Sequence, residues 1–469
     1  MKLNKKVIII EPLGAAVNVF KMYMNLPLMG TVYLGTILKN AGFEVIIYNE
    51  NFLKKPITID MLFADFLLLS LITPSAERGY ELAKLFKHAN PKGMVVIGGV
   101  HPTLLPVEAT KYADWVVEGE GEEIIVELLK HGHLTSSSNG VSTSTSVDKK
   151  IIKTKHIEDL NKIPFPDFNL IYNSKAMDIY PIITSRGCPY NCNFCSVTKT
   201  FGRKYRTVDT DRIVHELKTV KQNSVFFYDD NLTANKNRAK ELFKKMIDQK
   251  IKKSWTAQTR IDVAEDEELL ELMKRSGCST VYIGLESIND KVLSYFHKSQ
   301  TVEDIEKGIS KIHKCGLNIH GMFIFGSDQD TGDIFENTVK FCKKNKIETL
   351  QYLALTPFPG TQIFEDMERE ERLVHKIWRY YDSLHVVFHP KNLSSVELQN
   401  KIISSFEEFY SYAHAISDVV SISNGLSYGI ASNIKTFFIR LFARYIIIQW
   451  KKLNSSYIHF LKKNKLECN

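Results

Sequence analysis

The chain has 469 residues, of which 44% are hydrophobic and 24% charged, the composition of a globular protein with two or three domains. Its formal net charge of +8 is concentrated after residue 433, where eight basic residues stand against one acidic residue, so nucleic-acid binding by the body of the chain is not expected. No stretch approaches the roughly 18 apolar residues of a membrane-spanning helix, and the short apolar run 6–10 predicts a strand rather than a signal peptide. Seven cysteines without a secreted-domain pattern favour a reducing cytoplasm.

The first part of the chain alternates short apolar runs with single amphipathic segments. Strands are predicted at 6–10, 43–48, 66–72, 94–97 and 115–117, and helices at 30–40, in the segment up to 86, and at 121–130. Apolar strands separated by single helices indicate a parallel sheet that is covered on both faces. Residues 1–135 are therefore predicted to form a doubly wound, flavodoxin-like domain, which binds ligands beyond the carboxyl ends of its strands.

A second α/β region follows a polar connection. Residues 131–150 are low in complexity and predict a flexible loop, within a linker at 136–175. Further strands are predicted at 182–184, 225–228, 254–256, 281–285, 319–325 and 349–355, and helices at 212–221, 239–249, 266–276, 302–315 and 333–344. Six repeats predict a partial (β/α)6 barrel over 176–365, with functional residues at the carboxyl ends of its strands. The remainder, 366–469, is predicted to be mainly helical, with one helix at 395–416 and a basic tail.

Three cysteines, Cys188, Cys192 and Cys195, directly follow the first predicted barrel strand with the spacing C-x3-C-x2-C. One loop thereby offers three thiolates and no fourth ligand, whereas a structural zinc site closes its shell with four. An iron–sulfur cube that is held in this way keeps one iron open to an outside molecule. The alternatives are a zinc knuckle completed by a distant His or Cys, and three unrelated buried thiols.

The triplet, with Phe194 before its third cysteine, resembles the signature of the radical S-adenosylmethionine (SAM) superfamily. The resemblance implies that the thiolates hold a [4Fe-4S] cluster and that SAM chelates the open iron. One electron, from a donor such as flavodoxin or ferredoxin, would cleave SAM into methionine and a 5′-deoxyadenosyl radical that abstracts hydrogen from a small-molecule or lipid substrate. Similar strand-end motifs add candidate SAM-binding residues, which are Phe194, Asp229, Asp230, Asn231, Gln258, Arg260, Glu286 and Gly326.

These candidates suggest different contacts. The acidic pair and the amide at 229–231 suit the SAM ammonium, Arg260 suits a carboxylate, and Glu286 suits the ribose hydroxyls. Gly326 is small enough to let adenine approach closely. Each is also explained without a ligand, because acidic residues at strand ends cap the next helix about as often. No residue is assigned a catalytic role.

The first domain resembles the cobalamin-binding domain of one large radical SAM class. The similar segments follow its third, fourth and fifth strands and give the candidate cobalamin-binding residues Ser70, Gly98, Gly99, His101 and Glu118. Glycines there permit close backbone approach by a bulky ligand. The D-x-H-x-x-G loop that supplies a histidine ligand to cobalt in other cobalamin proteins is absent, and the first loop reads E-P-L-G-A-A-V. His101, beside a proline, is better explained as a structural turn residue.

Residues 226–390 resemble the subgroup that contains hopanoid methylases and related lipid- or tetrapyrrole-acting enzymes. The implied reaction is cobalamin-dependent methylation of an unactivated carbon. The alternative is cyclisation, oxidation or carbon–carbon coupling without methyl transfer, and a more remote alternative is a non-enzymatic metal-binding sensor.

The tail predicts one amphipathic helix at 435–451. Its apolar side chains recur every three or four residues, and Arg440, Arg444 and Lys451 lie elsewhere on the helix. Such a helix suits an anionic membrane surface. The preferred prediction is a helix that packs on the barrel and exposes its basic face to solvent.

Overall fold

The computed structural model describes residues 4–14, 26–53, 55–134, 150–173, 177–416 and 430–464. Two six-stranded sheets and one two-stranded ribbon organise these residues. Most of the predicted flexible loop at 131–150 lies outside the described residues.

The first sheet has the strand order β2-β1-β3-β4-β5-β6, and all its pairings are parallel. Its elements are β1 (Lys6–Glu11), α1 (Met29–Asn40), β2 (Glu44–Asn49), β3 (Phe66–Ser70), α2 (Ala76–Ala89), β4 (Met94–Gly98), α3 (Val100–Leu104), α4 (Pro106–Ala109), β5 (Trp115–Glu118), α5 (Ile125–His131) and β6 (Ile151–Lys153). Separate apolar clusters cover its two faces, as expected for strands that are apolar throughout. The strand order reverses between β1 and β3, where sheets of this kind bind ligands.

Two details of this domain differ from the sequence prediction. Ile151–Lys153 lies within the predicted linker, yet it pairs with β5 as the sixth strand. Three residues carry too little periodicity to be recognised as a strand. The helix predicted at 121–130 begins only at Ile125, because residues 119–122 form a loop whose carboxylates bind arginines of the second domain.

The second sheet follows chain order, β7-β10-β11-β12-β13-β14, and is also parallel. The elements of this region are β7 (Ile179–Ile182), β8 (Ser185–Arg186), α6 (Val197–Phe201), β9 (Arg206–Thr207), α7 (Thr210–Thr219), β10 (Ser224–Phe227), α8 (Lys236–Asp248), β11 (Ser254–Thr259), α9 (Glu267–Arg275), β12 (Cys278–Glu286), α10 (Asp290–Tyr295), α11 (Val302–Lys314), β13 (Asn318–Phe325), α12 (Ile334–Lys344) and β14 (Thr349–Ala354). Consecutive parallel strands with helices between them are the predicted partial barrel. The first strand begins before its predicted position and contains Pro181, which is tolerated because β7 is an edge strand.

The remaining helices are α13 (Gln362–Arg369), α14 (Ser395–Phe409), α15 (Ile430–Leu453) and α16 (Ser455–Lys463). The helix predicted at 395–416 thus ends at Phe409. The segment between α13 and α14 reaches back to the first domain, where Trp378 packs in the apolar core and its Nε1 donates to Glu108 over 3.0 Å. The C-terminal region therefore braces both sheets.

The predicted packing of α15 on the barrel is confirmed, since Ala443, Ile446 and Trp450 lie in the core of the barrel. Its predicted solvated basic face holds for Lys451, which is exposed, and is wrong for Arg440 and Arg444. Arg440 is buried and donates to backbone carbonyls just before β14, and Arg444 donates to the Glu407 carbonyl over 2.8 Å. Buried carbonyl groups need hydrogen-bond donors from the protein, and the two guanidinium groups provide them. Phe438 and Tyr445 instead are 62% and 56% exposed. No helix in the described part of the chain combines the length and apolarity needed to cross a membrane.

Candidate active site

The cysteine loop, residues 187–205, is closed at its base by the β8–β9 ribbon, in which Arg186 pairs with Arg206. Gly187 opens the loop with φ +87°, and a Cβ at this position would lie 2.4 Å from the carbonyl oxygen of Lys204. Only glycine combines this backbone angle with this close approach. The sequence therefore specifies the base of the loop as tightly as it specifies the cysteines.

Backbone hydrogen bonds fix the ends of the cysteine triplet within this loop. The Cys188 amide donates to the Gly202 carbonyl over 3.3 Å, and the Cys195 amide donates to the Cys192 carbonyl over 3.2 Å. Burial, and to a smaller degree the charge of Asp230, raises the pKa of Cys188, and burial raises the pKa of Cys195 to about 12.

In the described part of the chain, no three His, Cys, Asp or Glu side chains converge on a point that could hold a single metal ion. A zinc knuckle requires such convergence. Iron–sulfur clusters are held by thiolates that bind different irons, and therefore do not require it.

An aromatic residue of the loop is fastened to the barrel. The Arg260 guanidinium lies 3.9 Å from the centre of the Tyr190 ring, and the Tyr190 hydroxyl donates to Asp262 over 2.8 Å. Arg260 also donates to the Lys298 carbonyl. In this structure Arg260 therefore stacks on Tyr190 at the place where the sequence suggests a ligand carboxylate. Its Nε is buried and has no hydrogen-bond partner among the described residues.

The three neighbours at 229–231 have different surroundings. Asp229 is buried and accepts hydrogen bonds from the Thr184 amide and from the hydroxyls of Thr184 and Ser185, so it fixes the turn before the cysteine loop. Asn231 is buried as well, and its side-chain oxygen accepts from the Thr233 amide over 3.3 Å. Asp230 instead is exposed to a cavity, where desolvation by the surrounding protein, together with the like charge of Asp229, raises its pKa to about 6.

Glu286 lies at a bulge at the end of β12, with φ +64°. Its carboxylate is buried and accepts from the Lys298 ammonium over 2.9 Å. A Cβ at Gly284 would lie 2.3 Å from this carboxylate, so the glycine makes room for the ion pair. The structure therefore pairs Glu286 internally at the place where the sequence suggests a ribose contact.

Three further candidates lie outside the cavity. The space beyond the Cα of Gly326 is filled by Phe388 and Leu398, each 2.9 Å from the position of a Cβ, so packing of the C-terminal region explains this glycine. Phe194 packs edge-on against Phe296, with ring centres 5.0 Å apart. Gln258 is half-buried on β11.

A cavity of about 290 Å³ lies between the two domains, beyond the carboxyl ends of the strands of both sheets. The first domain lines it with the glycine wall, defined as Gly30, Gly98, Gly99, Gly119 and Gly121, and with apolar side chains. The barrel contributes Ser185, Arg186, Phe201, Tyr228 and Asp230. The cavity is thus bounded by both domains and by the base of the cysteine loop.

Three of the five candidate cobalamin contacts, Ser70, Gly98 and Gly99, line this cavity. His101 does not: it is fully buried, its Nε2 lies 3.3 Å from Glu108, and its ring lies against Trp378. Glu118 does not either, because it pairs with Lys153 on β6 over 2.7 Å. In this structure His101, as expected for a turn residue, and Glu118 both make contacts within the first domain.

Sequence reasoning missed several cavity residues. Gly30 stands at the start of α1, and Gly121 alternates with Glu120 and Glu122 after β5. The alternation of glycine and glutamate can be read in the sequence. The role of the glutamates becomes clear only from their ion pairs with Arg186 of the second domain. That partner lies 64 residues from Glu122 in the chain.

A model of the B12 binding domain matches residues 16–129, and a model of the Radical SAM superfamily matches residues 182–342. The chain is 31% identical over 358 residues to bacteriochlorophyllide d C-12(1)-methyltransferase of Chlorobaculum tepidum, covering 74% of this chain and 75% of that protein. The chain belongs to the radical SAM superfamily. It is also 23% identical over 407 residues to hopanoid C-3 methylase of Methylococcus capsulatus, covering 83% of this chain and 78% of that protein.

The fold of this radical SAM enzyme is similar to a solved structure of the cobalamin-dependent SAM radical enzyme OxsB, with a TM-score of 0.66 at 14% identity over 98% of this chain and 83% of that chain. The matches confirm the predicted family, fold class, enzyme class and cofactors, which are a [4Fe-4S] cluster, SAM and cobalamin. They give no support to a non-enzymatic sensor.

The residues present fit these groups. The loop offers three thiolates, the usual ligands of an iron–sulfur cluster. A Cβ at Gly30 would meet no atom within 4 Å, and at Gly98 and Gly121 the nearest atom would be 3.7 Å away, so bare backbone faces the cavity where a broad ligand can lie. Among the described residues no histidine lines the cavity, so this part of the chain offers cobalt no imidazole there.

Proposed function

We propose that this enzyme methylates an unactivated carbon of an apolar small molecule or lipid, after hydrogen abstraction initiated by SAM cleavage. One observation carries the proposal: one cavity is bounded by the glycine wall of the first domain and, on the barrel side, by Asp230 and by Arg186 and Phe201 at the cysteine loop. When bound, the cluster and SAM supply a 5′-deoxyadenosyl radical, and cobalamin supplies the methyl group. Both can therefore act on a substrate held in one place.

The lining of the cavity supports an apolar substrate. On the barrel side, Ile183 and Phe201 present apolar surface to a substrate. The apolar residues of the first domain continue this surface on the wall where cobalamin would lie; they are Ile9, Leu34, Leu68, Val96 and Val117. An apolar lining excludes water, which protects a reactive radical from side reactions. The similarity to a tetrapyrrole methyltransferase and a hopanoid methylase agrees with a substrate of low polarity.

For SAM, we propose Asp230 as the residue that accepts the ammonium group. Of the acidic pair, Asp229 already accepts hydrogen bonds from the Thr184 amide and the Ser185 hydroxyl, whereas Asp230 faces the cavity beside the cysteine loop. A carboxylate that accepts a charged donor forms a stronger bond than a neutral acceptor does. The other candidates would then stabilise the site through packing and hydrogen bonds and would not contact SAM themselves. They are Asn231, Gln258, Arg260, Glu286 and Gly326.

The proposal is tested with anaerobically reconstituted protein, hydroxocobalamin, a low-potential reductant and SAM that carries an isotope label in its methyl group. A lipid and pigment extract from a strain that lacks the gene supplies the unmethylated substrate. We expect one compound of the extract to gain the labelled methyl group while 5′-deoxyadenosine accumulates. Extract from the parent strain, in which the compound is already methylated, is the matched control.

Two results would contradict methyl transfer. Formation of 5′-deoxyadenosine with a new ring or a loss of hydrogen, and no label in the product, would identify cyclisation or oxidation instead. Stoichiometric zinc without SAM cleavage would contradict the radical enzyme itself.

We also propose that α15 contacts a lipid surface. Phe438, Tyr445 and Leu453 are each more than half exposed on this helix, and Lys452 is exposed beside Leu453. Exposed apolar groups with neighbouring cations favour an anionic bilayer surface. Such a contact would bring the cavity close to a membrane-dissolved substrate.

A further inference from the structure

A buried ionic network joins the two domains beside the cavity. It consists of Glu120, Glu122, Arg186 and Arg206, and is referred to here as the clamp. Arg206 donates to both carboxylate oxygens of Glu120 over 2.8 Å, and Arg186 donates to Glu122 over 2.6 Å and lies 3.3 Å from Glu120. The four side chains are between 1% and 8% exposed. Two guanidinium groups balance two carboxylates, so the clamp is neutral as a unit.

The two halves of the clamp belong to the two walls of the cavity. Arg186 and Arg206 face each other across the ribbon that closes the cysteine loop. Glu120 and Glu122 alternate with Gly119 and Gly121 of the glycine wall. The clamp therefore connects the carrier of the cluster directly to the backbone against which cobalamin would lie.

The loop of the glycine wall is itself rigid. The Gly119 amide donates to the Thr103 hydroxyl over 3.0 Å, and a Cβ at Gly119 would lie 2.5 Å from the Thr154 hydroxyl. Burial alone would raise the pKa of Glu120, but the hydrogen bonds from Arg206 and the charge of Arg186 lower it, so its carboxyl is ionised in the clamp. Both arginines therefore hold charged partners that belong to the loop of the glycine wall.

Stability alone explains such a network poorly. Buried ion pairs contribute little beyond what well-packed apolar residues of similar volume would contribute, because desolvation offsets their attraction. A bidentate arginine–carboxylate pair does fix direction and distance, since two parallel hydrogen bonds define one arrangement. In reactions between two bound groups, a misplacement of about 1 Å can cost roughly 100-fold in rate.

We infer that the clamp is a positioning device that sets the distance and orientation of the cysteine loop relative to the glycine wall. This inference rests on the proposed function, because it assumes that both cofactors occupy the two walls. Arg206 is the most informative position, since it belongs to the clamp but does not line the cavity. Besides Glu120, Arg206 donates to the carbonyls of Ile157 and Phe201. Glu122→Gln leaves these two hydrogen bonds in place, so a change that both variants share is ascribed to the clamp.

The test measures the spin relaxation of the reduced cluster in full-length protein that also carries the paramagnetic Co(II) form of cobalamin. This interaction falls steeply with the distance between the two centres. We expect Arg206→Lys to keep the wild-type contents of iron and cobalamin but to change the relaxation enhancement severalfold. Glu122→Gln, which keeps the shape of the side chain, should act in the same direction and serves if Arg206→Lys does not fold.

Two matched controls separate positioning from a loss of stability. Lys204→Gln removes an exposed ion pair that joins the cysteine loop to Glu158. Arg372→Lys weakens an ion pair with Asp328, and both of these residues are distant in sequence from the clamp. Both should leave the relaxation enhancement unchanged. Unchanged relaxation in Arg206→Lys and Glu122→Gln, or an equal change in Arg372→Lys, would overturn the inference. Failure of the wild-type protein to bind cobalamin at all would instead contradict the proposed function.

Discussion

The two walls of the cavity differ in what they present to a ligand. The first domain presents mainly backbone and apolar surface, with Gly98 and Gly121 leaving open space where side chains would stand, while its Glu120 and Glu122 are paired within the clamp. The barrel presents functional groups, with the cysteine loop at its edge and Asp230 facing inward. One wall therefore acts by shape and the other by chemistry. Adding volume should damage the first wall, whereas removing a functional group should damage the second.

The largest effect is expected at the cysteine loop. Cys192→Ala removes one of the three thiolates that would hold the proposed cluster and leaves only two protein ligands. We expect bound iron and sulfide to fall to background and SAM cleavage to disappear in anaerobic assays. Cys315→Ala, at the end of α11, is the matched control and should retain both. Cleavage that survives in Cys192→Ala would refute the ligand assignment.

The next largest effect is expected at the glycine wall. A Cβ at Gly98 would make only ordinary contact with Val117, 3.7 Å away, so Gly98→Val should fold while its methyl groups project into the cavity. Overpacking by about 1–3 kcal/mol corresponds to cobalamin binding that is roughly 5- to 150-fold weaker. Absorbance titration with hydroxocobalamin measures it.

Gly332→Val is the control for this comparison, because a Cβ there meets no atom within 4 Å and the residue lies outside the cavity. The iron content of Gly98→Val should equal that of the wild type. A loss of iron in Gly98→Val, with cobalamin binding intact, would contradict the proposal that the first domain binds cobalamin and the barrel holds the cluster.

A smaller effect is expected from the carboxylate of the second wall. Asp230→Asn keeps the size of the side chain and removes its charge, and a hydrogen bond to a charged group contributes about 1.5–3 kcal/mol, so SAM should bind at least about tenfold more weakly. Equilibrium binding of SAM to the reconstituted protein measures this. Asp333→Asn, which alters an exposed carboxylate that accepts from Thr331 and Asn337, should bind SAM normally. Equal SAM affinity in Asp230→Asn and the wild type would remove Asp230 from the site.

The comparison of the two domains also shows what the sequence could predict. Both sheets were predictable because short apolar runs alternate with amphipathic helices in both regions. Periodicity alone does not distinguish a reversal at β1 in one sheet from chain order in the other, although the predicted doubly wound domain and partial barrel imply these two orders. Strand order depends on which faces pack together over long distances, and periodicity does not record this.

Within the site, local and non-local features separate in the same way. The cysteine spacing is local, so the sequence identified it. Asp229 and Asp230 are neighbours with opposite surroundings, and only the position at which β10 ends determines that Asp230 reaches the cavity. The glycine at Gly326 was predicted to admit a ligand, but the packing of Phe388, which is distant in sequence, explains it.

The smallest effect is expected on α15, away from both walls. Phe438 is already partly buried, so its further burial in a bilayer surface would contribute about 1 kcal/mol, and Phe438→Ser should lower vesicle binding roughly fivefold. Sedimentation with vesicles of anionic phospholipid measures the bound fraction. Phe63→Ser, which removes a similarly exposed aromatic side chain from the first domain, should not change it. Because α15 lies outside the cavity, SAM cleavage should be the same in Phe438→Ser, Phe63→Ser and the wild type. Equal vesicle binding by the wild type and Phe438→Ser would show that this helix does not contact the lipid surface.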